Sequence, residues 1–182
     1  IYMKKNIFAF TLASLFFTGL AHGDGQPLSL SIVGNVIDSS HPGSSCSVTL
    51  SKAAVTLTGA TKSLPLWSDK VDTYDSAGAV QLVANDTCTS MIESGHIGYV
   101  FSGDYDMQTG PMTMKNTDVS SGAAKGVGID VFVPSTHLPV LMGGTFKPTS
   151  NKTDLNLVLV KTISTPTGGH VSGNLTINVV TL

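Results

Sequence analysis

From Val171 to Val179 the chain alternates strictly. Val171, Gly173, Leu175, Ile177 and Val179 take one side; Ser172, Asn174, Thr176 and Asn178 take the other. A period of two with one apolar face specifies a half-buried β-strand. No charge, turn residue or polar tail follows before Leu182. The pattern predicts a strand edge and an apolar face that something else must cover.

The rest of the chain reads as strands of the same kind. Candidates are 28–37, 47–58, 79–83, 96–102, 111–116, 126–133, 140–146, 154–162 and 170–182. Turn-forming clusters separate them, among them Ser39 to Ser45 around Pro42-Gly43, and Thr165 to Gly169 around Pro166. No amphipathic helix stands out. The stretch 63–77 fits either a loop with a short strand or a single helical turn. Many short strands at this spacing, with no repeat and no linker, predict one all-β sandwich domain.

The N-terminus has a different character. Met3 reads as the initiator, Lys4 and Lys5 follow, and an apolar run extends from Ile7 to Leu20. Ala21-His22-Gly23 then offers small residues at a cleavage site, so residues 1–23 are expected to be a secretory signal peptide. Its loss leaves eight lysines against twelve acidic residues, a net charge of −4, and the chain has no arginine. That argues against nucleic-acid and phosphate recognition, which lean on arginine forks and basic patches. Charged residues are 12% of the sequence, as in β-rich extracellular proteins. In an oxidising compartment the two cysteines, Cys46 and Cys88, are expected to pair.

An exported chain with one early and one mid-chain cysteine, then Asn116-Thr117 and the run Gly122-Ala123-Ala124-Lys125-Gly126-Val127-Gly128-Ile129, resembles the subunits of chaperone–usher fimbriae of the type 1-like pilin family. The opening stretch Ile32 to Ile37 and the sequence Cys46-Ser47-Val48 add to the likeness, as does Gly169, fourteen residues from the C-terminus. The chain departs from that pattern at Thr181, where an aromatic is usual, and at Asp154 to Val160, which replaces an aromatic-rich strand. The resemblance implies an incomplete immunoglobulin-like β-sandwich lacking its final strand, completed by donor-strand complementation. It implies residues 24–31 as a donor extension, with Leu28, Leu30 and Ile32 on one face, and 32–182 as the pilin domain; the alternative is that 28–32 belongs wholly to the domain's own first strand. The acceptor groove and chaperone edge would comprise Gly169, Val171, Leu175, Ile177 and Val179. Implied partners are a periplasmic pilus chaperone, an outer-membrane usher and neighbouring fimbrial subunits. The implied place is an extracellular fimbria on the bacterial surface, supporting cell adhesion.

Other chemistry is sparse. His41, His96, His137 and His170 are dispersed without metal-ligand spacing. Asp104 and Asp106 suit a solvated turn better than a calcium site. Gly126-Val127-Gly128 lacks the strand–helix setting of a dinucleotide loop, and no nucleophile elbow is present. Asn85, Asn151 and Asn174 head glycosylation sequons, and Trp67 could stack on a sugar but reads better as a core plug. No enzyme activity, cofactor or metal is expected. Two alternatives remain: a minor or tip subunit binding a host glycan, and an exported β-sandwich enzyme or metalloprotein.

Overall fold

The computed structural model describes residues 27–33, 36–37 and 45–182. The expected leader, the first residues of the donor extension (24–26) and His41 lie outside the described residues. Thirteen strands are present among the described residues. They are β1 (Pro27–Val33), β2 (Val36–Ile37), β3 (Ser45–Cys46), β4 (Val48–Leu50), β5 (Ala54–Thr56), β6 (Ala79–Ala84) and β7 (Ile97–Ser102), followed by β8 (Thr113–Lys115), β9 (Val127–Val133), β10 (Leu138–Pro139), β11 (Thr145–Phe146), β12 (Lys152–Lys161) and β13 (Asn174–Thr181). One short helix, α1 (Thr89–Glu93), follows β6.

Two sheets pack face to face. One runs β11-β7-β13-β1-β5; the other runs β10-β9-β12-β6-β4, with β8 also on β9. β2 and β3 form a small separate ladder. Inward residues of both sheets make one core: Val80 and Leu82 of β6, Ile129 and Val131 of β9, and Leu155 and Leu157 of β12 face Tyr99, Phe101, Leu175 and Ile177.

Chain order and sheet order together define the topology. β4-β6-β12-β9 reproduces the A-B-E-D sheet of a constant-type immunoglobulin sandwich, and β7-β13 reproduces C-F. The fold is therefore an all-β, immunoglobulin-like sandwich. The place beside F, where a seventh strand G belongs, is taken by β1 from the opposite end of the chain. β1 runs parallel to β13, whereas the other ladders are antiparallel.

Several sequence expectations change in detail. The stretch 47–58 breaks into β4 and β5 around Ser51. The stretch 140–146 is mostly not a strand, because Gly144 N–H closes a turn on Leu141 O at 2.9 Å and Gly143 has φ +78°. The stretch 63–77 is a loop that runs into a single 3-10 turn (Ser76–Gly78) and meets β12 through a parallel bridge, Leu66 to Lys161, and a hydrogen bond from Asn156 Nδ2 to Asp75 O at 2.9 Å. The last strand begins at Asn174, not His170.

Candidate functional site

The expected acceptor strand is built as its alternation requires. Leu175, Ile177 and Val179 are buried in the sandwich, while Asn174 and Thr181 are exposed. β7 covers one edge of β13, with Phe101 registered opposite Ile177 and Tyr99 opposite Val179. Tyr99 is fully buried with its hydroxyl unpaired, and burial pushes that hydroxyl up to about 12. Its ring stacks on Phe146 at 6.5 Å.

β1 covers the other edge of β13. Ser29 to Val33 register with Asn174 to Asn178, so Leu30 stands opposite Leu175 and Ile32 opposite Ile177. On its far side β1 pairs antiparallel with β5, Leu28 opposite Val55. The chain's own N-terminal strand thus lies in the position that the alternation of β13 leaves to be filled. A boundary drawn between Ser31 and Ile32 falls within this strand.

The remaining sheet edges are short. β11 and β10 have two residues each, and β5 and β4 have three each. Such stubs are poor templates for pairing with another chain. β13 has eight residues. It is therefore the long hydrogen-bonding edge that departure of β1 would open.

A cavity of about 170 Å³ continues the line of β1. Leu57 and Thr58 on its wall lie just past Thr56, the partner of Pro27; Val171 lies just before Asn174, the partner of Ser29. Gly168, Gly169 and Val127 complete the end of this channel. Gly169 and Val171 line this cavity, while Leu175 and Ile177 lie further along β13, in register with Leu30 and Ile32 of β1.

Two backbone devices hold the lead-in to β13. Gly169 presses on Gly122 to Ala124: a Cβ here would collide with Gly122 O and lie 2.6 Å from Ala124 N. Asn116 is a hub that sequence reading noticed only as part of a resemblance. Its Nδ2 donates to Ala124 O (3.0 Å) and His170 O (2.9 Å). Its Oδ1 accepts from Asp118 N and Ser172 N, both at 2.9 Å. Thr117 adds a bond from its hydroxyl to Ser172 O at 3.0 Å. These contacts explain why residues 170–173 leave strand geometry: their polar groups are already engaged.

Cys46 and Cys88 are joined in a disulfide across a separation of 42 residues. It fastens β3 to the turn after β6. The other candidate groups stay apart. His137 Nδ1 lies 3.8 Å from Asp72 on the surface, and His96 Nδ1 is 3.1 Å from Ser94 Oγ. Asp104 pairs with Lys115 at 3.4 Å, and Asp106 accepts from Gln108 N at 2.8 Å. Trp67 is half-buried, and its backbone N–H donates to Lys161 O at 3.0 Å. Among the described residues no three His, Cys, Asp or Glu side chains are grouped to hold a metal ion.

No protein-family profile and no curated protein matches the chain. Among solved structures it is similar to an antigen and type I fimbria protein of Burkholderia pseudomallei, with 19% identity, coverage of 85% of this chain and 91% of that one, and a TM-score of 0.44.

Proposed function

We propose that this protein is a structural subunit of a surface fimbria, assembled by strand exchange at the β13 edge. One observation carries the reading: the G position of the sandwich is filled by an N-terminal strand in parallel register with β13. A strand held by its own ladder, and not by a covalent turn to its neighbour, can be exchanged for an equivalent strand. Main-chain hydrogen bonds then supply generic affinity, and alternate side chains supply specificity.

In this reading the acceptor groove comprises Gly169, Val171, Leu175, Ile177 and Val179, and the donor positions are Leu28, Leu30 and Ile32. A periplasmic chaperone lends a strand to the groove while β1 is withdrawn. An outer-membrane usher then brings in the donor of a neighbouring subunit. The leader of residues 1–23 directs export, and adhesion is a property of the assembled fibre. The function needs no catalysis. Fibre persistence is kinetic, set by slow withdrawal of buried strands.

The test is deletion of residues 24–33 followed by rescue. The shortened chain is expected to aggregate or be degraded in a periplasm, because β13 is then uncovered. A synthetic peptide with the sequence Pro27 to Val33, or the cognate chaperone, is expected to recover a soluble one-to-one complex. A shortened chain that stays monomeric and folds two-state without a partner would sink the exchange reading.

A further inference from the structure

We propose that β12 carries a binding site for a short extended peptide, at a place where its ladder lacks a rung. β6 pairs with β12 only as far as Asn156, opposite Ala79. The next backbone contact of the loop on that edge is at Lys161. Its N–H donates to Pro65 O at 2.7 Å, and its carbonyl accepts from Trp67 N at 3.0 Å. Residues two apart along a strand aim their backbone groups to the same side. Leu159 therefore turns its N–H and C=O to the same edge as Lys161, away from β9. Among the described residues no hydrogen bond reaches either group from this side. That edge opens on a cavity of about 390 Å³, lined by Leu157, Val158 and Leu159 of β12 and by the loops around Gly59 and Val71.

An open strand edge is completed by an N–H and a C=O from one extended residue, and a peptide backbone supplies both at the right spacing. The window is short. The Leu66 to Lys161 bridge closes one end. At the other, Gly78 lies so close to Leu157 that a Cβ there would overlap Leu157 O. From Leu157 to Lys161 the strand runs about 13 Å. That length holds two or three extended residues and excludes a strand running through. The buried side chains of Leu57, Leu64 and Val71 give the walls apolar surface for one ligand side chain. Lys70, Asp72 and Asp75 are exposed at the rim and carry both signs of charge, which suits the two free ends of such a peptide. The volume lies at the lower end of the range for small-ligand pockets. β12 and β13 belong to different sheets, so this site stands or falls independently of strand exchange.

The experiment titrates the mature chain, with β1 in place, with the free tripeptide Ala-Leu-Ala and follows the backbone amides by NMR. The expected result is a saturable shift centred on the Leu159 amide, with slower hydrogen exchange there and little change at Leu175 or Ile177. Methylating the central nitrogen of the peptide removes one rung bond and should weaken binding about five- to tenfold. Blocking both ends by acetylation and amidation should weaken it too, and added salt should weaken the free peptide but not the blocked one. Thr73 is an exposed residue of the cavity wall. Thr73→Trp fills the space and is expected to abolish the Leu159 shift while the unfolding midpoint stays unchanged. If that variant does not fold, the methylated peptide still decides. No shift at Leu159 up to the solubility limit of the peptide would overturn the site. So would equal affinity for the methylated or the blocked peptide, or a Leu159 shift produced by N-acetylglucosamine and not by the peptide.

Discussion

Asp130 is an acid in an apolar place. It is fully buried on β9, and neither carboxylate oxygen completes a well-formed hydrogen bond. The Thr113 hydroxyl, registered opposite, only partly eases the charge. Burial therefore pushes its carboxyl from the ordinary 3.8 up to about 7. The unfolded chain loses this proton first. The contribution of Asp130 to stability is fully present below about pH 4, is lost as pH rises towards 7, and changes no further above it. The full ionisation cost is on the order of 4 kcal/mol. Asp130→Asn is expected to raise the urea midpoint at pH 8 and to leave it nearly unchanged at pH 4. Equal midpoint shifts at both values would contradict a buried titrating carboxyl. Asn116 makes a separate prediction. Its four hydrogen bonds join two stretches of backbone, so Asn116→Ala should cost about 2–4 kcal/mol in urea unfolding. Its role could not be read from the sequence, because three of its four partners lie eight to 56 residues away.

At the scale of elements, alternation was a good guide where one face is buried and a poor one elsewhere. β13 and β6 follow their apolar periods because each has the core on one side, whereas β12 buries Asn156 and Val160 as well as Leu155 and Leu157. In 140–146 the same periodicity arises from a turn, with Val140 and Met142 buried and Leu141 exposed. α1 has five residues, too few for a helical period to register. The facing of β13 is testable without any partner. Ile177→Ala removes a fully buried side chain and should cost about 2–5 kcal/mol. Asn178→Ala on the other face loses only a 3.3 Å bond to Ser102 Oγ and should cost about 1 kcal/mol or less. Chemical unfolding of the two variants gives the comparison, and similar costs would contradict this facing.

For the whole molecule, the disulfide and the strand at the seventh place do different work. The disulfide closes a loop of 42 residues and stabilises the fold by about 4 kcal/mol in the chain-entropy picture. Replacing both cysteines by serine should lower the unfolding free energy by about that amount under oxidising conditions, and should remove the wild type's sensitivity to reductant. Strand content, the sandwich class and the need for cover over the last strand were legible in the sequence. They depend on side-chain periodicity and composition, which act between near neighbours. The cover itself was not legible. β1 reaches β13 across more than a hundred residues, and alternating Leu and Ser would suit either direction and several registers. Only the packed sandwich, in which β7 closes one edge of β13 and β5 stands ready to pair with the far side of an added strand, selects the N-terminal strand, its parallel sense and its register.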